Sequence, residues 1–423
     1  MLIQFTVENH RAIRERQTFS MVAEGASSKT REEVVVETGI SVAPTVLRTA
    51  CLFGANGSGK SSLIEAMEFM SRFVRDSFRR DAGKGIPTEP FLYHSEWREK
   101  PSEFEVVFVH RDTLYQYGFA VDRERVHDEW LFARPKSTGR ERTLFTRSFN
   151  KEADTYEWSI NGVYLKGERE SWRAQTRPDA LFLSTAVQLN ADDLRDPFDW
   201  IVSGLRSFSM SPDTIHNQYT ASKFTEETWK ARVIEFLRQA DIRLSDIQVE
   251  EEDFEQSSAF KSIPEPLQEA FRVSAPGMKT YNVSFVRKDE KSDDIPLAIR
   301  EESSGTKALF ALAGPLIDVL ENGLTVVIDE LNAGLHPLAF QHIIGFFCDP
   351  SVNRNNAQLI FTTHDTSVTH LECIGRDQIW LIEKGDDLAA RLTPYSDFKT
   401  RDARSFQRAY LQGRYGAVPR ILD

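Results

Sequence analysis

The chain has 423 residues, 40% hydrophobic and 11% aromatic, enough for two or three domains with real cores. A formal net charge of −12 argues against a surface that grips nucleic acid throughout, and three cysteines far apart in sequence, Cys51, Cys348 and Cys373, point to neither a disulfide framework nor a zinc cluster. No apolar run reaches the length of a membrane span and no charged leader precedes one at Met1, so the expectation is a soluble, cytoplasmic protein without membrane contact.

Residues 2 to 8 alternate, with Ile3, Phe5 and Val7 on one side, which predicts a half-buried strand. A second strand is expected around Gln17 to Val22, then a loop through Gly25 to Lys29 and Glu32-Glu33. Thr45 to Phe53 is near-continuously apolar, as suits a strand buried on both faces of a sheet. It delivers GANGSGKS, Gly54 to Ser61, which matches the phosphate-binding pattern G-x-x-x-x-G-K-[ST]. Glycines 54, 57 and 59 let backbone N–H groups turn inward onto a polyphosphate at the start of the next helix. Lys60 supplies charge for the outer phosphates and Ser61 a hydroxyl for Mg²⁺.

After Lys60 the positions Leu63, Ile64, Met67, Met70, Phe73 and Val74 follow helical spacing, predicting an amphipathic helix that ends near Arg79 to Gly85. Residues 86 to 165 hold short alternating segments separated by turn residues, the pattern of an antiparallel meander. Ala180 to Asn190 is another apolar run, with a helix expected through Trp200 and Leu205. The stretch 211–276 is more polar, with a helix expected over Glu226 to Gln239 and an acidic patch at Glu250 to Glu255. It reads as an inserted, mainly helical module. A strand follows near Lys279 to Arg287.

Glu302 to Lys307 then opens a helical pattern in which Ser304-Gly305 offers free N–H groups to an anion, and Gly314-Pro315 is expected to kink it. Leu324 to Glu330 is an apolar strand ending in two carboxylates, Asp329 suited to a Mg²⁺ shell and Glu330 to polarising a water. Alone, such a pair is also an ordinary acidic strand end or helix cap. Gln358 to Thr362 is a further buried strand, and His364 at its end can reach a γ-phosphate. Basic runs occur at Arg72 to Lys84, at Arg134, Lys136, Arg140 and Arg142, and in the tail at Arg401, Arg404, Arg408 and Arg414.

In this order, phosphate loop, Ser-Ser-Gly-Thr-Lys, hydrophobic-Asp-Glu, Leu-His-Pro and Thr-His, the chain resembles an ABC-type ATPase head of the SMC, RecF and OLD-nuclease lineage. Asn9 to Ile13 resembles the segment after the first strand of those heads. The resemblance covers roughly 1–75 and 295–385, and implies ATP and Mg²⁺ as cofactors. Asn56, Gly57, Ser58, Gly59, Lys60, Ser61 and Ser62 would hold ATP phosphates, with Asp329 and Ser61 on the metal and Glu330 catalytic. Ser304 and Gly305 would be the signature that caps the partner subunit's ATP, Ala333 to His336 the D-loop, His364 the switch histidine and Gln188 the metal-sensing glutamine. Ser303 and Thr306 depart from the usual signature residues, and the sequence pattern predicts neither a long coiled coil between the two halves nor, from any acidic cluster after His364, a metal-nuclease domain.

The tail Tyr410 to Pro419 resembles compact ATPases of phage-defence operons, the RloA and AbiLi type. The expected fold is α/β: an ABC-type P-loop ATPase head with an antiparallel β-rich N-terminal lobe and a mainly helical insertion, divided as 1–210, 211–276 and 277–423. The expected function is an ATP-driven head-to-tail homodimer that regulates a separate effector, a nuclease or TOPRIM-like protein, in anti-phage defence. The alternative is a RecF-like ATPase of DNA repair that binds nucleic acid directly.

Overall fold

The computed structural model describes residues 1–24, 34–81, 83–210, 217–399 and 406–419. The loop expected at Gly25 to Glu33 and the tail residues Arg401 and Arg404 lie outside them. The chain divides into two units: Met1–Ser209 with Asn322–Leu331 and Ile343–Asp423, and Met210–Glu321 with Asn332–His342.

Up to the end of the first stretch of unit one, the strands in chain order are β1 (Leu2–Glu8), β2 (Gln17–Ser20), β3 (Val35–Glu37), β4 (Thr45–Leu47), β5 (Thr49–Phe53), β6 (Ser102–His110), β7 (Thr113–Val121), β8 (Val126–Pro135), β9 (Arg142–Asn150), β10 (Thr155–Ile160) and β11 (Leu205–Ser209). The second unit contributes β12 (Asp246–Asp253), β13 (Lys279–Lys288) and β14 (Asp294–Ala298). The chain then returns to the first with β15 (Thr325–Asp329), β16 (Gln358–Thr362), β17 (Ile379–Lys384) and β18 (Ala390–Pro394).

The first unit holds a seven-stranded antiparallel sheet, β10-β9-β8-β7-β6-β1-β2, and a six-stranded sheet, β11-β15-β16-β5-β17-β18, parallel from β11 to β17. Every residue of β5 and β16 is buried, which is why these runs are apolar without alternation. Helix α1 (Lys60–Asp76) lies between the sheets. Phe69 packs in a tilted pair on Phe104 at 4.8 Å and Phe73 on Phe119 at 5.5 Å, both on the antiparallel sheet, while Leu52, Val327 and Ile360 of the parallel sheet share the same core. Each such side chain buried is worth roughly 1.5–3 kcal/mol, so this stripe anchors the helix that carries Lys60.

Two expectations need correction here. Thr45 to Phe53 is two strands, not one. The break falls at Arg48, which is buried and donates to the Asn353 carbonyl at 2.8 Å as the chain passes from its hairpin with β3 into the parallel sheet. The helix expected through Leu205 ends in a π-helical turn at Gly204, and Leu205 starts β11, paired in parallel with β15. The apolar run at 180–190 contains a short helix, α2 (Phe182–Gln188). Its start is set from a distant strand, because the Glu129 carboxylate accepts from the N–H groups of Phe182 at 2.6 Å and Leu183 at 3.0 Å. Glu129 is fully buried with Arg147, 3.8 Å away, and burial raises its pKa even though Arg147 lowers it.

In the second unit β12, β13 and β14 form an antiparallel sheet beside the helices α3 (Glu227–Gln239) and α4 (Ser304–Asn322). The acidic patch of the supposedly mainly helical module is largely strand β12. Its outward carboxylates face Lys279 of β13, whose Nζ lies 2.7 Å from Asp253 and 3.4 Å from Glu251. Helix α4 runs on across Pro315. Proline cannot donate to the carbonyl four residues back, and Thr220 Oγ1 replaces the lost donor, giving to Ala311 O at 3.3 Å and accepting from Gly314 N at 3.1 Å.

Candidate nucleotide-binding site

The strand order brings three C-terminal strand ends to one edge of the parallel sheet, with β16 between β15 and β5. The phosphate loop leaves β5, Asp329 ends β15, and Thr362 to His364 close β16. Open α/β sheets bind their ligands at such an edge.

The loop itself admits little but glycine at two points. Gly59 takes φ +107°, and a Cβ there would meet the Ala390 Cβ at 2.6 Å. A Cβ on Gly54 would lie 2.5 Å from both the Ile382 carbonyl and Ser58 Oγ. Helix α1 begins with no side-chain cap, so its first-turn N–H groups are left to a ligand. Lys60 is buried and donates to the carbonyls of Gly54 at 2.8 Å and Ala55 at 3.1 Å. Burial lowers the Lys60 pKa, and Asp329 and Glu330 pull it back up. Ser58 Oγ is buried without a hydrogen-bond partner.

Across the edge, Ser61 Oγ donates to Asp329 Oδ2 at 2.6 Å, and Thr362 Oγ1 donates to Asp329 Oδ1 at the same distance. Thr362 Oγ1 also accepts from the Glu330 N–H at 2.8 Å. Glu330 sits at φ +54°, a left-handed conformation that costs a non-glycine residue about 1 kcal/mol or more and gathers at functional sites. Partial desolvation and then the Lys60 charge lower the pKa of His364, against the pull of Glu330 and Asp329, which favours the neutral imidazole. Lys60, Ser61, Asp329, Glu330 and His364 are thus gathered in one electrostatic neighbourhood.

The set fits a nucleotide with a divalent cation. An uncapped helix start, a buried lysine and an orphaned serine hydroxyl suit phosphate. No cluster of three His, Cys, Asp or Glu residues occurs among the described residues, so a cation here would rest on one carboxylate, one hydroxyl, phosphate oxygens and water, the habit of Mg²⁺.

Asn9 to Ile13 braces the loop. Asn9 is fully buried at φ +54° and donates to the carbonyls of Trp97 and Lys100, both at 2.8 Å. Arg11 pairs with Glu65 of α1 and with Glu89, and Ala12 O accepts from Ala390 N at 2.7 Å beside Gly59. The tail folds onto the same region, with Phe406 and Tyr410 packed on Phe53 at 5.1 and 5.6 Å.

Among the described residues, Gln188, Ser304 and Gly305 are not hydrogen-bonded to this set. Gln188 ends α2, half-buried, with no hydrogen bond to Ser61 or Asp329. Ser304 and Gly305 belong to the second unit, where they line an open cleft of about 730 Å³ with Gly334, Leu335 and His336. There Ser303, the departure from the usual signature, is the N-cap of α4: its Oγ accepts from Thr306 N at 3.1 Å. Sequence reasoning missed Thr362; its signal was a hydroxyl closing a buried strand two residues before His364.

A phosphate loop between a parallel strand and a helix, faced by a carboxylate from the next strand but one of the same sheet, defines a P-loop nucleotide-binding domain. The chain belongs to the family described as "AAA domain, putative AbiEii toxin, Type IV TA system", whose model matches residues 50–369. No curated protein matches it. Among solved structures it is similar to the SmcHead bound to the C-winged helix domain of ScpA, at 12% identity and TM-score 0.41 over 93% of this chain and 96% of that one. It is also similar to cbiO1 from Clostridium perfringens, part of the ABC transporter complex cbiONQ, at 15% identity and TM-score 0.26 over 52% of this chain and 68% of that one. No helix among the described residues is long and apolar enough to cross a membrane.

Proposed function

We propose that this protein is an ATP hydrolase that closes as a head-to-tail dimer and regulates a separate effector in a bacterial anti-phage defence system. The family description, a putative toxin of a type IV toxin–antitoxin system, supports the defence setting. The observation that carries the hydrolase reading is Ser61 hydrogen-bonded to Asp329 beside Glu330 and the buried Lys60.

Bound Mg²⁺ and ATP would supply the γ-phosphate and the divalent charge that offsets it. The loop amides and Lys60 bind and orient the phosphates, and Ser61 and Asp329 would hold the cation. Glu330, fixed at its backbone by Thr362, takes the proton of the attacking water. His364, neutral, donates to or accepts from the γ-phosphate as its charge changes. Ser304 and Gly305 of the partner cap the nucleotide, and Gln188 senses the metal on closure. A ligand touching both subunits stabilises only the closed dimer, so a 100-fold preference gives about 2.7 kcal/mol for switching.

The test is Glu330→Gln. Its turnover should fall about 10³-fold while ATP affinity stays within a few fold, and light scattering should show an ATP-dependent dimer. Parental turnover, or a mutant that stays monomeric in ATP, overturns the reading.

A further inference from the structure

Four cations of the second unit converge on a cleft that the nucleotide reading does not use. It measures about 560 Å³ and is lined by Arg238, Arg243, Arg287 and Lys288, with Asp241 as the one carboxylate among the described lining residues. On a chain of net charge −12 that is an uneven set. Its members are far apart in sequence: Arg238 ends α3, Arg243 follows it, and Arg287 and Lys288 close β13. The Ser245 amide, donating to Val286 O at 2.8 Å, draws the two segments together.

The walls are braced. Arg238 Nη2 donates to the carbonyls of Leu244 and Ser245, both at 3.2 Å. Arg287 donates through Nε to Arg243 O at 3.1 Å and forms a two-pronged ion pair with Glu302, through Nη1 at 2.5 Å and Nη2 at 3.1 Å, so its charge is already matched. These bonds fix the loop that turns at Asp241, φ +65°. What remains is an excess of donors. Among the described residues the Arg243 guanidinium has no hydrogen-bond acceptor, nor have the amides of Arg243 and Leu244, and Lys288 faces only Asp294 at 3.9 Å.

Other basic surfaces differ. A cleft of about 420 Å³ in the first unit sets Arg98, Lys100 and Arg123 against Glu99, Asp122 and Glu124. The run at 134–142 is also met by partners: Arg134 pairs with Glu141 at 3.1 Å, Lys136 with Asp112 at 3.7 Å, and Arg142 lies over the Tyr164 ring at 4.7 Å.

We propose that the cleft of Arg238, Arg243, Arg287 and Lys288 is a binding site for a phosphate-bearing ligand, separate from the phosphate loop. Among the described residues no aromatic side chain lines it, so the proposed site holds the phosphate group and does not stack a base on them. Asp241 and Ile242 line both this cleft and that of Ser304 and Gly305, so a ligand here alters the surface that meets the partner's nucleotide. That coupling rests on the proposed dimer; the binding itself does not.

The test uses the full chain carrying Lys60→Ala, which disables the phosphate loop. Inorganic tripolyphosphate is titrated by calorimetry, and a labelled 12-nucleotide single strand by fluorescence anisotropy. Adding Arg243→Glu and Lys288→Glu should weaken tripolyphosphate binding roughly tenfold or more, and Arg243→Gln with Lys288→Gln roughly threefold. Arg134→Glu with Arg140→Glu should leave it unchanged, and all variants should melt with the parent. Tripolyphosphate binding without the oligonucleotide assigns a small polyphosphate; tighter oligonucleotide binding with the same dependence on Arg243 and Lys288 assigns a nucleic-acid backbone. Binding of neither probe, or binding indifferent to both cleft pairs, overturns the proposal.

Discussion

Two helices of this chain start at a serine–glycine pair, Ser58-Gly59 just before α1 and Ser304-Gly305 as the first residues of α4, and they start differently. Helix α1 follows Gly59 in a left-handed turn, without a side-chain cap, beside the unpartnered hydroxyl of Ser58. Helix α4 follows Ser303, whose hydroxyl takes the Thr306 amide for itself. The first start leaves its donors to a ligand; the second has satisfied part of its own need and presents only Ser304 and Gly305 over an open cleft. In the proposed dimer the first end would hold its own polyanion and the second would meet the partner's.

Substitutions can break this contrast. Lys60→Ala should have the largest effect, weakening ATP binding about 100-fold, or about 2.7 kcal/mol, in equilibrium titration. Unchanged affinity would mean that α1 does not hold the phosphates. Next is the packing behind α1. His10 is 3% exposed, its ring 6.0 Å from Phe69 and 5.3 Å from Phe104, neither ring nitrogen has a partner, and burial holds its pKa down to about 3. The folded state keeps His10 neutral while the unfolded chain protonates below its ordinary pKa of about 6.5, so stability is lost as pH falls from there. At pH 5 the loss is about 2 kcal/mol. His10→Phe should remove that much of the difference between urea melts at pH 7 and pH 5, and an identical acid loss in the mutant would exclude His10 as the cause.

Smaller effects belong to α4. A Cβ on Gly305 would lie 2.9 Å from the Gly334 carbonyl, so Gly305→Ala must shift the cleft wall. ATP-driven dimerisation by light scattering should weaken roughly tenfold with ATP affinity intact. Loss of ATP affinity instead would place Gly305 in the chain's own site. Ser303→Ala should cost about 1 kcal/mol of stability in thermal melts, the ordinary worth of an N-cap, and no ATP affinity. A cost near zero would remove the distinction between the two helix starts.

The sequence was most legible where one short segment carries the whole meaning. GANGSGKS, the apolar strand into Asp329 and the strand before His364 could each be placed because their geometry is local. Contacts made across hundreds of residues were not readable. Glu129 starting α2, Thr220 substituting for the amide that Pro315 lacks, and the cation set at 238–288 each depend on side chains meeting through tertiary structure. Leu205 failed for a related reason: its short polar-apolar run has weak preference, and pairing with β15 decides it. Thr362 was hidden in plain view, since a threonine in a buried strand signals nothing until its hydroxyl is seen on Asp329.

The parallel sheet joins early chain to late chain. Strand β5 has β16 and β17 as neighbours, and the Gln358 side chain, accepting from Leu2 N at 2.5 Å and donating to Leu47 O at 3.0 Å, ties β16 to residues some 300 or more positions earlier. Within the meander β6 to β10 each strand pairs with its sequence neighbours, and β6 pairs besides only with the earlier β1, so this sheet can form as it leaves the ribosome. The strand bearing the phosphate loop must wait for partners made at the end of synthesis. A chain released early therefore carries all of GANGSGKS and no place to hold ATP.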